Sequence, residues 1–322
     1  MISKNAFRIV FMGTPEFAVE SLKMLTENNY NVVAVVTNPD KPAGRGRKIR
    51  ESAVKQYARE KNLPVLQPES LSDPSFIQQL KELQPHLQVV VAFKILPPEV
   101  FNIPEYGTFN LHASLLPDYR GAAPINHAII NGEKKTGVTT FFLDDTVDTG
   151  KIINKKETEI APDETAGSLH DKLMSLGAEL VMETTDSIMQ GNYEAIPQDE
   201  LINNGKSLKK APKIFKEDCR INWNNTCQEI YNFIRGLSPY PAAQTRLTNS
   251  NQISLKIYRA TPEKKHHNHA CGTVLSDHKS YIKIAVTDGY MNLEEIQQSG
   301  KKRMHVKEFL KGFKNVEEYK AV

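Results

Sequence analysis

FRIVFMGTPEFAVESLKMLTENNYNVVAVVTN, residues 7 to 38, carries the pattern that decides the fold. Its first six residues are an apolar run closed by Gly13, the signature of a strand buried on both faces. Thr14 stands where a helix N-cap is wanted, with Pro15 at the first helical position, and Ala18, Leu22 and Leu25 recur at helical spacing until Asn28 and Asn29 end the pattern. The β-branched run NVVAVVTN follows. Strand, helix and strand in succession make a βαβ unit, and the expected fold class is α/β with a Rossmann-like, doubly wound, mostly parallel sheet.

Working outward, residues 52–61 and 72–84 have helical patterns, LQVVVAF at 87–93 is a third buried strand and GTFNLH at 107–112 a fourth. A helix is expected over 124–131, strands over 136–143 and 151–160 around an acidic loop, and a long helix over 163–189. Residues 197–213, with the turn Asn203-Asn204-Gly205, read as a linker. A helix over 225–236 leads into short alternating strands at 244–247, 253–259, 272–275, 281–286 and 290–296, which suit a small OB-like β-barrel. The expected domains are therefore 1–205, α/β, and 206–322, linker and barrel.

A chain of 322 residues with 39% hydrophobic composition has material for two cores, which excludes a disordered or fibrous class. Its three cysteines, Cys219, Cys227 and Cys271, share no C-x-x-C spacing and build no disulfide framework, so a reducing compartment, the cytoplasm, is expected. No apolar run approaches the roughly 18 residues of a membrane span. Charge is unevenly distributed: residues 1–205 hold 20 Lys/Arg against 27 Asp/Glu, while residues 206–322 hold 21 against 11. A basic C-terminal part joined to an acidic N-terminal part points to a polyanionic partner, nucleic acid above all.

A dinucleotide fold would need G-x-G-x-x-G after the first strand, and Gly13-Thr14-Pro15-Glu16-Phe17-Ala18 supplies one of the three glycines, so a nicotinamide enzyme is disfavoured. In GTFNLHASLLPDYRGAAPI, residues 107–125, the strand period of two puts Asn110 and His112 on one face at the carboxyl end of a strand. An amide donor and an imidazole converging without a metal suit an oxygen that gains negative charge, as in acyl transfer. The turn LDDTVDTG at 143–150 offers Asp144, Asp145 and Asp148 as candidates to orient the ring, and spacing does not choose among them. His112 and one carboxylate are too few ligands for a metal, and His266, His267 and His269 read as an exposed loop. The loop NPDKPAGRGRKIR, residues 38–50, gathers Lys41, Arg45, Arg47, Lys48 and Arg50 among prolines and glycines, a composition able to approach phosphates.

FNLHASLLPDYRGAAPI together with DDTVDTGKII resembles the folate-dependent formyltransferase family, and FMGTPEFAV, NPDKPAGRGRK, QPESL, VVVAF and the basic C-terminal part resemble its methionyl-tRNA-modifying members. The resemblance implies Asn110, His112 and Asp148 as the catalytic trio. It implies Ser114, Leu115, Leu116 and Pro117 along the folate, 10-formyltetrahydrofolate as formyl donor, and no metal. Initiator methionyl-tRNA is the implied acceptor, met by Lys41, Arg45, Arg47 and Lys48 and by the C-terminal domain, with the protein acting as a monomer in the cytoplasm. Glycinamide ribonucleotide formyltransferases, sugar formyltransferases and formyltetrahydrofolate hydrolases share such a core. The first gives no reason for a basic extra domain, whereas the other two remain alternatives. An inactive RNA-binding protein would not need the intact trio.

Overall fold

The computed structural model describes residues 3–43, 48–202 and 207–322. The chain forms two compact units, the first from Met1–Gly121, Thr136–Thr158 and His170–Lys210, the second from Ala122–Lys135, Glu159–Leu169 and Ala211–Val322. The boundary expected at 205/206 lies outside the described residues, and the second unit also takes in two earlier segments.

The first unit contains strands β1 (Arg8–Gly13), β2 (Asn31–Val36), β3 (Lys41–Ala43), β4 (Lys48–Arg50), β5 (Val65–Leu66), β6 (Leu87–Val91), β7 (Thr108–His112), β8 (Lys135–Phe142) and β9 (Ile152–Glu159). Its helices are α1 (Glu16–Glu27), α2 (Ala53–Glu60), α3 (Pro74–Glu82) and α4 (Pro98–Phe101), while α5 (Pro124–Ile130) belongs to the second unit and α6 (Ala166–Gln190) runs from the second into the first. Seven strands make one sheet in the order β5-β2-β1-β6-β7-β8-β9, parallel from β5 to β7 and antiparallel between β7 and β8. On β1, Val10 and Met12 join Phe76, Leu80, Val100 and Phe101 of α3 and α4 in one core cluster, while Ile9 and Phe11, facing the other way, are equally buried. Burial on both faces explains why these strands read as unbroken apolar runs.

Local chemistry sets the helix ends. Ser52 Oγ accepts the Lys55 N–H at 3.1 Å to cap α2, and Asp73 Oδ1 accepts the Ser75 N–H at 2.8 Å with Pro74 opening α3. At α1 the expectation fails by a residue. Pro15 itself occupies the N-cap position, and the Thr14 hydroxyl instead accepts from Thr37 Oγ1 and the Asn38 N–H at 3.4 Å each, tying the end of β1 to the end of β2. Gly13 is required by proximity, because a Cβ there would stand 2.7 Å from the Ala18 Cβ of α1 and 3.0 Å from the Val91 carbonyl of β6. Strand order reverses between β1 and β6, which opens a crevice at their carboxyl ends, the place where open α/β sheets hold ligands.

The second unit adds α7 (Cys227–Leu237), β10 (Ala243–Thr248), β11 (Gln252–Lys264), β12 (Val274–Ser276), β13 (Ile282–Val286), β14 (Gly289–Gln298), β15 (Met304–His305), α8 (Val306–Gly312) and β16 (Lys320–Ala321). Thr226 and Glu229 close a capping box at the start of α7. The antiparallel sheet runs β12-β13-β14-β11-β10-β16, and the Ala321 N–H donates to the Gly272 carbonyl at 2.8 Å beside the Thr273–Lys320 bridge. The last strand thereby meets the first and nearly closes a barrel around Trp223, Ile234, Leu255, Ile284, Met291 and Phe309. Helix α8 and strand β16 were not expected from the sequence. His266 and His269 are exposed, as read, but His267 is half-buried: it stacks on Tyr290 at 4.5 Å, and its Nε2 lies 2.9 Å and 2.8 Å from the Val286 and Gly289 carbonyls.

Among the described residues no helix is long and apolar enough to cross a membrane, and Cys219 and Cys227 are fully buried while Cys271 is partly open. Burial, reinforced by Asp288, pushes the Cys227 thiol up to about 11, and burial raises Cys219 likewise. At pH 8 both stay protonated and inaccessible. Native protein treated with a thiol-specific dye at pH 8 should therefore release signal for one fast thiol, Cys271, with the other two reacting only in denaturant; three equally fast thiols would contradict the packing.

Candidate active site

Strand β7 builds the site by its period of two. Phe109 and Leu111 are buried on one face, where Gly177 of α6 leaves room for the Leu111 side chain that a Cβ would meet at 2.7 Å. Asn110 and His112 project from the opposite face, about 6.7 Å apart along the strand. The half-buried Asn110 amide makes no side-chain hydrogen bond among the described residues, and His112 is 7% exposed.

The chain then turns into the loop 113–121, whose Leu116–Pro117 peptide is cis. Thr139 Oγ1 donates to the Ser114 carbonyl at 2.7 Å and accepts the Leu116 N–H at 3.2 Å, and Lys155 Nζ donates to the Leu116 carbonyl. Burial holds the Lys155 amine below the ordinary lysine range. At the far end Tyr119 N–H donates to the Lys209 carbonyl at 2.6 Å, and Asp118 Oδ1 accepts the Lys209 N–H at 2.9 Å. These tethers aim the Tyr119 carbonyl at the ring, 2.8 Å from His112 Nε2. A carbonyl can only accept, so Nε2 carries the hydrogen and Nδ1 is the ring atom left open.

Of the three acids in the 143–150 turn, Asp148 is the one that faces His112, with Oδ2 at 3.9 Å from Nδ1. The same oxygen accepts the Gly121 N–H at 2.9 Å. Asp144 is spent on the turn, accepting the Thr146 N–H at 3.0 Å and Thr149 Oγ1 at 2.8 Å, and Asp145 is exposed. Asp148 sits in the left-handed region at φ 59°, which aspartate tolerates better than most residues. Gly150 follows it into a buried corner.

Of the four loop residues, Ser114 donates to the Asp118 carbonyl at 2.8 Å and Leu116 packs against Phe141 and Ile152, so both shape the loop from within; Leu115 and Pro117 are half-buried. Sequence reasoning missed Gln198. This residue, 2% exposed, donates to the Asp148 and Gly150 carbonyls and accepts from Arg120. Its separation of 50 residues from Asp148 left no periodic signal.

The basic loop forms a β3–β4 hairpin that pairs Lys41 with Arg50 and Ala43 with Lys48. Its base is braced by the Asp40–Lys55 ion pair at 2.5 Å and by Gln67 Nε2 donating to the Asn38 carbonyl at 2.8 Å. Lys41 is exposed, and Arg45 and Arg47 lie outside the described residues. Separately, the second unit has a cavity of about 600 Å³ bordered by Lys213, Lys216 and Lys256 and by the exposed rings of Phe215 and Tyr240. Among the described residues no group of three or more His, Cys, Asp or Glu could hold a metal ion.

Two family profiles match, "Formyl transferase" over residues 7–185 and "Formyl transferase, C-terminal domain" over 213–314. The methionyl-tRNA formyltransferase of Parabacteroides distasonis is 54% identical over 321 residues, 99% of each chain, and that of Bacteroides fragilis 52% identical over the same span and coverage. Among solved structures, an N-formyltransferase from Helicobacter canadensis in complex with folinic acid and dTDP-3-aminofucose superposes with a TM-score of 0.64 at 23% identity, covering 88% of this chain and 97% of that one. HypX from Aquifex aeolicus in complex with tetrahydrofolic acid gives a TM-score of 0.63 at 18% identity, over 94% of this chain and 46% of the other. At those identities the two structures establish a shared fold.

A Cβ on Gly150 would lie 1.7 Å from the Phe142 carbonyl, an overlap that only backbone movement relieves. Gly150→Ala should cost about 2 kcal/mol or more, read as a lower urea midpoint at unchanged slope. An unchanged midpoint would show that the Asp-Thr-Gly corner is not packed as described.

Proposed function

The chain belongs to the formyl transferase family, matching both of its domain profiles, and on that premise we propose that it moves a formyl group from 10-formyltetrahydrofolate to the α-amino group of methionine esterified to initiator tRNA. The observation that carries the reading is the unpartnered Asn110 amide beside an imidazole whose one open nitrogen faces Asp148. The acceptor is inferred from relatives 52–54% identical over nearly their whole length, all methionyl-tRNA formyltransferases, and from the surplus of basic residues in 206–322.

The donor set fits a formyl group: one neutral amide and one ring nitrogen, neither committed to another protein group. 10-Formyltetrahydrofolate supplies the carbon that is transferred, with the 114–117 loop as its proposed support. Asn110 donates its amide hydrogen to the formyl oxygen, where negative charge grows as the amine attacks. With Nε2–H held by the Tyr119 carbonyl, His112 Nδ1 is the second group proposed to face that oxygen, a donor to it only when it too carries a hydrogen, and the Asp148 carboxylate lies beside that nitrogen. Asp148 Oδ1, which makes no bond among the described residues, takes the proton that the amine sheds and returns it to N10 as the bond between N10 and the formyl carbon breaks, so that tetrahydrofolate leaves and the amide remains on the acceptor. Exclusion of water matters because water would compete with the amine.

Lys41, Arg45, Arg47 and Lys48 are the proposed phosphate contacts of the hairpin. The Lys213, Lys216 and Lys256 cavity of the C-terminal unit, with two exposed aromatic rings, offers a further surface of the right charge. The proposed assignment is catalysis to residues 1–205 and tRNA docking to 206–322, in a cytoplasmic monomer.

Labelled formyl should pass from 10-formyltetrahydrofolate to charged initiator tRNA and not to glycinamide ribonucleotide, an amino-sugar nucleotide or water. Asn110→Ala, His112→Ala and Asp148→Asn should each lower kcat on the order of 10²- to 10³-fold with the fold intact. Near-normal turnover in any of them removes that residue from the mechanism, and formylation of a small amine alone removes the tRNA.

Arg45→Ala and Arg47→Ala should raise KM for charged tRNA while leaving KM for the folate alone, and each should reduce the slope of log affinity against log salt by about 1. A slope indifferent to both changes would place the phosphates elsewhere.

A further inference from the structure

Gln198 spends its whole hydrogen-bonding capacity between two segments of the site. Its Nε2 donates to the Asp148 carbonyl at 3.0 Å and the Gly150 carbonyl at 2.9 Å, and its Oε1 accepts from Arg120 Nε at 3.0 Å and Nη2 at 2.7 Å. An amide has two hydrogens and two lone pairs to offer, so none is left over. The next residue, Gly121, donates its N–H to Asp148 Oδ2 at 2.9 Å, and this closes a ring: Gln198 to the Asp148 backbone, the Asp148 carboxylate to Gly121, Gly121 to Arg120, and Arg120 back to Gln198.

The ring acts on a residue that is held against its preference. Asp148 has φ 59°, a conformation that costs on the order of 1 kcal/mol for a residue with a Cβ, and relaxing it would swing the carboxylate away from the ring. Carbonyls 148 and 150 both lie on the C-terminal side of the joint that would move, and one buried amide holds both. Arg120 has no carboxylate partner among the described residues, so the Gln198 oxygen is what fixes its guanidinium.

We propose that Gln198 is a positioning residue for formyl transfer: through the Asp148 and Gly150 carbonyls it sets the distance between the Asp148 carboxylate and His112 Nδ1. The effect on rate rests on the formyl-transfer reading; the effect on the pair does not. Gln198→Glu is the discriminating variant, because it keeps the oxygens that Arg120 needs, now with a charge-assisted pair, and removes both donors to the turn. Gln198→Met removes both ends, and Arg120→Met leaves the donors in place.

Kinetics and the ring titration of His112 by NMR are to be measured on the full chain for all three variants. In Gln198→Glu and Gln198→Met, kcat should fall about 10- to 100-fold with KM for the folate within about 2-fold, and the His112 titration midpoint should move from its wild-type position. Arg120→Met should show the smaller change. If Gln198→Met does not fold, Gln198→Glu and Arg120→Met still decide. A Gln198→Glu protein with wild-type kcat and an unmoved His112 titration overturns the proposal, as does a loss confined to the urea midpoint. If the wild type transfers no formyl group at all, the function fails, and the His112 titration alone then judges the positioning role.

Discussion

The hydrogen bond from His112 Nε2 to the Tyr119 carbonyl is the constraint on which the arrangement of the site depends. It consumes one ring nitrogen and leaves the other, and everything in loop 113–121 bears on where that carbonyl points. Thr139, Lys155 and the Lys209 backbone tie the loop at both ends, so the carbonyl is held by at least five hydrogen bonds to residues distant in sequence. A flexible loop would allow either nitrogen to face the substrate. The fixed one leaves Nδ1 as the open ring atom, facing Asp148.

The second unit solves a different problem. Short strands with exposed edges invite pairing with other chains, and here the C-terminal residues 320–321 and the segment beginning at Gly272 cover each other's edges. Closure leaves the outer surface free to carry lysines without loss of core. The surplus of positive charge in 206–322 therefore sits on a scaffold that does not depend on it.

What was legible in the sequence follows from which forces are local. Strands buried on both faces are legible as apolar runs, over 7–12 and 87–93, and the period of two places Asn110 and His112 on one face. The one cap read from the sequence, Thr14, is off by a residue, and the caps at Ser52, Asp73 and Thr226, although local chemistry, are seen only in the structure. The rest is tertiary. Spacing leaves the three acids of one turn equivalent, and only the resemblance points to Asp148; in the fold Asp144 bonds Thr146 and Thr149 while Asp148 accepts from Gly121. The glycine- and proline-rich loop concealed a hairpin because Pro42 and two glycines argue against strands. Helix α8 and strand β16 are too short for periodicity, and their order comes from packing on the barrel. Gln198 left no mark because its partners are 48 to 78 residues away.

Left-handed backbone occurs away from the site as well, at Gln84, Ala242, His278 and Asn315, but three such residues gather around it. Asn29 and Asn62 adopt it just beyond helix ends, where asparagine costs little. Ala92 at the end of β6, Tyr119 in the loop and Asp148 in the turn adopt it at the carboxyl edge of the sheet or beside it, and for alanine and tyrosine there is no local compensation. Each such residue costs on the order of 1 kcal/mol. Tyr119 shows what that cost secures: with φ at 63° its N–H reaches the Lys209 carbonyl while its own carbonyl meets the ring, two directions that an extended residue would not serve together. Asp148 shows the same trade with its side chain, since its carboxylate reaches Gly121 and the ring while its carbonyl stays with Gln198. The tethers that oppose relaxation at both residues include buried hydrogen bonds, from His112 to the Tyr119 carbonyl and from Gln198 to the Gly150 carbonyl, which are worth more for being shielded from water. The two joints meet at one ring, since Tyr119 holds His112 Nε2 by its carbonyl and Asp148 faces Nδ1, so relaxing either one changes what surrounds the same imidazole.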